Sequence, residues 1–378
     1  MRTIGIDARF YGEAGPGRYV KSIIQHLERS DNVNMYIVFL RDRGMDDYIP
    51  QNPNFKKVRA HFKWYSFEEQ VNFLFLLLRQ NLDILYIPHF NIPILYPGKL
   101  VTAIPDIIMH TYSTEKGTTL PKPYFRFKKW VYKMVVLWAT FRSKKVIVPS
   151  NDTLNDFRKV YPFISKQKYV LAPEGVDPEL LTQTTGEPTE VLAKHGIEKP
   201  FLLYISSFYE HKNVPALLGA FKILTEQYNF TGQLVLIGKK DKFSEEIEKQ
   251  IKEKGLYGRV LMPGSTSYVT DTDTVVLRKE AEVYVFPSLK EGFSLTPMEA
   301  QAFSLAAVIS DIPCHREIYG DSVLYFDPHN PHEIAERINQ VLLDTNLKQQ
   351  LIEKGSELIN KYNWNETARI TKEVFNEV

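Results

Sequence analysis

At 378 residues the chain is longer than one ordinary hydrophobic core, so two or three domains are expected. A net charge of +2 beside 44% hydrophobic residues fits a soluble globular protein and argues against one committed as a whole to nucleic acid. The single Cys314 excludes an internal disulfide and a multi-cysteine zinc site and suits a reducing cytosol, and no apolar run approaches a membrane span.

The chain opens on Ile4-Gly-Ile-Asp7, a short strand with no signal-peptide apolar core before it. Gly12-Glu-Ala-Gly15-Pro16-Gly17 then turns into a helix whose apolar positions are Val20, Ile23, Ile24 and Leu27. Gly15 and Gly17 would let backbone approach a phosphate, but their order is not the dinucleotide G-x-G-x-x-G, and a bare connecting turn fits them as well. Apolar runs follow at 35–40, 82–87, 100–104, 145–148 and 169–171, separated by longer segments in the alternation of a parallel α/β sheet. Within this series 64–78 is dense in apolar residues, has Ser66 and Glu69 at capping-box spacing, and predicts a packed core helix.

His89, in Pro88-His-Phe-Asn-Ile-Pro93, reads on its own as hydrogen-bonded structure. From Lys116 to Asn151 there are nine Lys or Arg residues and no acid. At helical spacing Lys122, Arg126, Lys129 and Lys133 share one face, and Phe127, Val131, Met134, Trp138 and Phe141 line a neighbouring face expected in the core. The basic face fits a solvated surface, a nucleic-acid patch or an anionic-membrane patch.

Polar residues with Gly186, Pro188 and Gly196 mark 182–199 as a linker and a helix leading from a first domain, 1–181, to a second, 200–363. Strands of the second are expected at 201–205, 233–237, 260–262, 283–286, 307–310 and 323–326. Lys212 follows the first of these and can neutralise a diphosphate. Asp271-Thr-Asp273 has the form of a metal-binding D-x-D, but Thr270 ahead of two first-turn acids reads better as a helix N-cap, so no metal is expected. After the strand 283–286, Glu291 falls on a loop, Pro297 suits a first helical turn, and Glu299 falls in the helix that follows. The N–H groups of Ser294, Leu295 and Thr296 would form an anion site at that helix start, an arrangement that fits a phosphate ester carrying hydroxyls.

Glu291-Gly-Phe-Ser-Leu-Thr-Pro-Met-Glu299 resembles the E-x7-E signature of retaining GT-B glycosyltransferases of family 4, whose pattern is close to E-G-F-G-L-P-x-L-E-A. Gly15-Pro-Gly-Arg-Tyr19 resembles that family's first-loop motif, and Ala172-Pro-Glu-Gly-Val-Asp177 its interdomain P-N-G-V-D. Ser206 to Asn213 resembles its G-T-x-x-x-R-K-N turn, and Ala302 to Asp311 its A-C-G-x-P-V-V-x-S-D run. Tyr362-Asn-Trp364 resembles the start of a final helix, 364–378, that crosses back to the first domain.

What the resemblance implies is an α/β protein of GT-B architecture, with two Rossmann-like parallel-sheet domains facing a central cleft, the first on the acceptor side and the second binding a nucleotide diphosphate sugar. In family terms Glu291 would bind donor-sugar hydroxyls and stabilise an oxocarbenium-like transition state, and Glu299 would hold the ribose. Lys212, the amides at Ser294, Leu295 and Thr296, and the loop of Gly15 and Gly17 would stabilise the departing diphosphate. Ser207, His211 and Phe293 complete the implied donor side, Asp106 stands with the catalytic groups, and Arg18 and His89 belong to the acceptor side. Several positions depart from the pattern: Pro105 stands where the family has a histidine, Ser207 where some members have an arginine and His211 where arginine is usual, while Phe303, Ser304 and Ala306 read as packing changes. His110, four residues beyond Asp106, reads as a loop residue.

The implied activity is retaining, metal-independent transfer of a hexose, by overall similarity mannose from GDP-mannose, to a hydroxyl of a saccharide or lipid-linked saccharide in glycan or glycolipid synthesis. No cofactor and no nucleic acid is expected; the expected place is the cytoplasm, with peripheral contact at an anionic membrane face. The departures at Pro105, Ser207 and His211 motivate one alternative, a catalytically weak sugar-nucleotide-binding protein; a second keeps the fold and changes the chemistry, a GT-B sugar-nucleotide epimerase.

Overall fold

The computed structural model describes residues 1–13, 15–112, 122–183, 185–266 and 268–378. They form two α/β units, one made of 1–112, 122–175 and Asn363–Val378, the other of Val176–Tyr362.

The first unit is built on β1 (Thr3–Asp7), β2 (Met35–Leu40), β3 (Phe55–Arg59), β4 (Ile84–Ile87), β5 (Lys99–Ala103), β6 (Lys145–Val148) and β7 (Tyr169–Leu171). All its pairings are parallel, in the order β3-β2-β1-β4-β5-β6-β7. The second unit has β8 (Phe201–Ile205), β9 (Gln233–Ile237), β10 (Val260–Leu261), β11 (Val283–Phe286), β12 (Ala307–Ser310) and β13 (Leu324–Phe326). Its sheet, also parallel, runs β10-β9-β8-β11-β12-β13. Each sheet reverses its strand order once, between β1 and β4 and between β8 and β11. At such a reversal the loops leaving two neighbouring strands diverge, which opens a crevice outside their carboxyl ends.

The central strands read as apolar runs because both of their faces are covered; all four residues of β4 and of β11 are buried. Sequence reading missed β3, Phe-Lys-Lys-Val-Arg, because it is an edge strand with Phe55 alone buried, and lysines suit a strand edge. The helix Trp364–Glu377, with Asn363 as its N-cap, contributes Ala368, Val374 and Phe375 to the core of the first unit. There Arg2 donates to the carbonyls of Phe375 at 2.5 Å and Asn376 at 3.0 Å.

Three expectations meet a different arrangement. Residues 182–199 hold the expected helix, Pro188–Lys194, but they belong to the second unit, whose chain begins at Val176, and Val191 and Ile197 are buried, the latter in that unit's core. The segment 64–78 is a π turn, Glu69–Phe73, continued by the helix Leu74–Leu78. It is only partly core: Phe73 and Leu77 are buried, while Phe67 is 84% and Phe75 58% exposed. The segment is pinned instead by a polar contact, because Glu69 accepts from Arg9 at 2.5 Å and from Asn91 at 2.8 Å, and Arg9 also pairs with Asp7 at 2.7 Å.

The third concerns the helix Lys122–Arg142. Its buried residues are Val136, Ala139 and Thr140, which seat the carboxyl-terminal half on the sheet. The stripe expected in the core faces out: Phe127 is 57%, Met134 45%, Trp138 38% and Phe141 59% exposed, and Val131 is exposed too. A helix this rich in apolar residues offers more than one apolar stripe, and spacing alone does not say which one the sheet covers. Residues 116–121 of the basic segment lie outside the described residues.

Candidate active site

The reversal between β8 and β11 explains the main site of the second unit. Lys212 ends the short 3-10 turn Glu210–Lys212 after β8, and Glu291 lies on the loop after β11. The two loops are fastened together: the Leu289 amide donates to the His211 carbonyl at 2.7 Å. Asn213, in a left-handed turn at φ 57°, donates to the carbonyls of Pro287 at 3.1 Å and Pro328 at 2.8 Å. Two side chains 79 positions apart therefore meet, with Lys212 Nζ donating to Glu291 Oε1 at 2.6 Å and lying 5.2 Å from the centre of the Phe286 ring. Burial pushes the Glu291 carboxyl up, but the Lys212 charge and hydrogen bond outweigh it and hold the group below its ordinary value. His211 goes down to about 4, by burial first and then by repulsion from Lys212, so at neutral pH its ring carries no charge.

The turn from Glu291 into the helix Leu295–Gln301 depends on Ser294, which adopts φ 71° and ψ 67°, a left-handed conformation that glycine takes most readily. The resembled pattern has glycine there. Serine is held in place by its surroundings: its hydroxyl lies 2.9 Å from His315 Nε2, and its carbonyl accepts from Tyr319 Oη. His315 Nδ1 lies 2.7 Å from the Ser310 carbonyl, which fixes Nδ1 as the donor and leaves Nε2 to accept from Ser294. The amides of Leu295 and Thr296 thus begin the helix where expected, beside the buried Phe293, whose ring meets Tyr362 edge-on at 5.5 Å.

Glu299 is buried and engaged: Arg278 Nη2 donates to Glu299 Oε2 at 2.5 Å, and both side chains are nearly closed to water. Arg278 comes from the helix Asp271–Glu280, whose start has the N-cap expected of Thr270, completed to a capping box by Asp273. Asp273 is further tied to Lys194 at 2.8 Å and to His195 at 3.1 Å. Burial works against its ionised form, yet the hydrogen bonds from Lys194, the Thr270 amide and His195 lower it to about 2. Sequence reasoning missed Arg278, His315 and Tyr319. A surface-type arginine in a last helical turn gives no sign of burial. Ser207, on the loop after β8, is half-buried and its carbonyl accepts from Tyr204 Oη at 2.6 Å.

The remaining expected residues belong to the first unit. Gly15, at φ 66°, precedes the helix Pro16–Ser30, and a Cβ at Gly17 would lie 2.3 Å from the Phe10 carbonyl oxygen, so only glycine fits there. Arg18 and Tyr19 follow on the first turn, and Tyr19 Oη lies 3.0 Å from Tyr86 Oη. Asp106 accepts from the Ile108 amide at 2.9 Å, just ahead of the short turn Ile108–His110. His110 lies 2.9 Å from Tyr161 Oη, a structural contact. His89 Nδ1 accepts from the Asn91 amide at 3.0 Å, its ring packs against Phe10 and Phe90, and burial lowers it to about 4.

Comparison with known proteins gives two family matches, Glycosyltransferase Family 4 over residues 14–180 and Glycosyl transferases group 1 over residues 189–358. The chain is 24% identical over 372 residues to O-antigen chain mannosyltransferase B of Escherichia coli, covering 94% of this chain and 93% of that one. It is 27% identical over 186 residues, 48% of its length, to the serotype-specific mannosyltransferase WbdA of Escherichia coli, but these span only 22% of that much longer protein. Among solved structures, sucrose-phosphate synthase from Thermosynechococcus elongatus superposes with TM-score 0.75 at 17% identity, covering 100% of this chain and 99% of the other. WaaG, a glycosyltransferase involved in lipopolysaccharide biosynthesis, superposes with TM-score 0.74 at 15% identity, covering 98% and 99%.

Proposed function

This chain belongs to the family 4 and group 1 glycosyltransferases and has the GT-B fold, and from that membership we propose a retaining, metal-independent hexosyltransferase that takes mannose from GDP-mannose. The acceptor is a hydroxyl of a saccharide or lipid-linked saccharide. The observation that carries this reading is the Lys212–Glu291 pair at the reversal of the second sheet, 2.6 Å apart and beside the turn at Ser294. In the proposed reaction the bond from the anomeric carbon to the diphosphate oxygen breaks, and the acceptor oxygen bonds to that carbon on the same face. The acceptor proton leaves on the departing phosphate. Glu291, kept ionised by Lys212, stabilises the positive charge that grows on the sugar, and Lys212 with the amides of Leu295 and Thr296 stabilises the negative charge that grows on the diphosphate. Glu299 holds the ribose, with Arg278 fixing its orientation. The mannosyltransferase relatives support the choice of sugar.

A panel of nucleotide sugars incubated with mannosides and followed by mass spectrometry tests the reading. Mannosyl transfer from GDP-mannose with retained configuration is expected; release of free nucleotide diphosphate without acceptor would favour the epimerase, and donor binding without turnover the weak binder. The same panel in EDTA tests metal independence. Because Asp273 is already committed to Thr270, Lys194 and His195, transfer is expected to survive chelation. Loss in EDTA with recovery in Mn²⁺ would overturn that part.

Membrane contact is assigned to the helix Lys122–Arg142. The exposed aromatic stripe of Phe127, Trp130, Trp138 and Phe141 lies among the basic residues Arg126, Lys128, Lys129 and Lys133, a combination that suits an anionic lipid surface. No helix among the described residues is long and apolar enough to cross a membrane. Each basic residue near such a surface adds about 1 kcal/mol. Co-sedimentation with anionic vesicles at low salt is therefore expected for the unaltered protein, reduced when Arg126, Lys129 and Lys133 become Gln and when Phe127 and Trp130 become Ser. Equal sedimentation of all three proteins would leave the stripe as ordinary surface.

A further inference from the structure

Glu291 lies on the loop between β11 and the helix Leu295–Gln301, and that loop is fastened at both ends to the next strand and helix. β12 pairs with β11, and its last residue, Ser310, donates through Oγ to the Ser288 carbonyl at 2.5 Å. The helix Pro313–Tyr319 follows β12 and carries His315. His315 Nδ1 donates to the Ser310 carbonyl at 2.7 Å, and Nε2 accepts from the Ser294 hydroxyl at 2.9 Å. A hydrogen-bonded chain therefore runs from Ser288 through Ser310 and His315 to Ser294, from three positions before Glu291 to three positions after it. Tyr319 Oη extends it, donating to the Ser294 carbonyl and accepting from the Met298 amide at 3.1 Å. The His315 ring also packs 5.9 Å from the centre of Phe286, the ring that lies beside Lys212. Ser288, Ser310, His315 and Tyr319 are all buried, so water does not compete for these bonds.

The turn alone does not call for such a chain. Glycine at 294 would adopt φ 71° without a partner, whereas serine is kept there by a hydroxyl that needs a buried acceptor. Imidazole supplies that acceptor only with the proton on Nδ1, and the Ser310 carbonyl enforces that tautomer. We propose that His315 is a positioning residue of the donor site: by tying both ends of the loop to β12 and its helix, it holds the Glu291 carboxylate where positive charge grows on the donor sugar. Without the ring, the Ser294 hydroxyl loses its acceptor, the left-handed turn relaxes, and Glu291 leaves its place beside Lys212. The proposal rests on the transferase reading and deepens it by naming the residue that fixes its carboxylate.

The test is steady-state transfer by the full chain to p-nitrophenyl α-D-mannopyranoside from the donor that the nucleotide-sugar panel selects, with melting temperatures read alongside. His315→Ala is expected to lower kcat at least about tenfold while the KM for donor moves less than about threefold, since displacing a reacting group by about 1 Å can cost up to about a hundredfold. His315→Gln, whose side-chain oxygen can accept from Ser294, is expected to recover part of the rate. In a Glu291→Gln background the alanine change is expected to alter the residual rate less than about twofold. In a Ser294→Gly background it is expected to cost less than it does beside serine. Ser294→Ala, which keeps the Cβ and removes the hydroxyl, is expected to show the same Glu291-dependent loss and replaces His315→Ala if that variant does not fold. A kcat unmoved by these changes, or a loss as large with Glu291→Gln as with Glu291, would overturn the proposal; the second is what a merely structural histidine gives. No transfer by the unaltered protein from any nucleotide sugar would sink the transferase reading and the proposal together, whereas transfer that ignores His315 sinks only the positioning role.

Discussion

Glu291→Ala and Lys212→Ala are each expected to lower turnover at least about a hundredfold while leaving the fold intact, because each removes a group that meets charge developing in the transition state. The two losses should be strongly non-additive. Removing Lys212 takes away the charge that holds Glu291 ionised in a buried position, so the carboxyl drifts upward and the single change already disables both groups. Glu291→Gln separates shape from charge: it keeps the size of the side chain and should be nearly as inactive as the alanine variant. Initial rates with saturating donor, checked against thermal unfolding to confirm folding, make the measurement. Near-unaltered rates in either alanine variant would move the reacting centre away from this pair.

The second large effect is on stability. Glu299→Ala is expected to cost about 3–5 kcal/mol, since it leaves the Arg278 guanidinium buried without its carboxylate. Arg278→Met should cost less than Glu299→Ala, because an apolar chain of similar length fills the space, though it too strands a buried charge. The double variant should recover much of the loss of the alanine variant, as replacing a buried pair by apolar groups is often near neutral. Chemical denaturation of the four proteins gives the cycle; a Glu299→Ala cost below about 1 kcal/mol would show that the pair is not closed to water. The same geometry sets the kinetic expectation for Glu299→Gln, which keeps a hydrogen bond to Arg278 and should raise the KM for donor more than it lowers kcat.

How far each part could be read from the chain follows from the range of the interactions concerned. Twelve of the thirteen strands coincide with apolar runs, because a central parallel strand is covered on both faces and must be apolar wherever it occurs. The thirteenth, Phe55–Arg59, has solvent on one side and therefore reads as surface. Capping is equally local: Thr270 and Asp273 are three residues apart, so the N-cap at Thr270 was legible, and the reciprocal bond from Asp273 completes it.

What only the tertiary structure decided is which distant groups share a space. Lys212 and Glu291 were each visible at the end of a strand, but their 2.6 Å contact required β8 and β11 to be neighbours, a fact of strand order that no local pattern encodes. Arg278 became the partner of Glu299 in the same way, across two helices and 21 positions. Ser294 stands where the resembled pattern has glycine; that a serine holds the left-handed turn depends on His315 and Tyr319, which reach it from the helix Pro313–Tyr319. The helix Lys122–Arg142 gives the opposite case, in which a local pattern misled. Its periodicity was real, but the choice of which apolar stripe meets the sheet is made by the sheet, and the sheet took Val136 and Ala139 and left Phe127, Met134 and Phe141 in solvent. The sequence by itself determined the alternation of strands and helices and the chemistry at their ends, since both arise from contacts a few residues long. Strand order, burial of charge and the exposed stripe arise from contacts tens to hundreds of residues apart, and those exist only once the chain has folded.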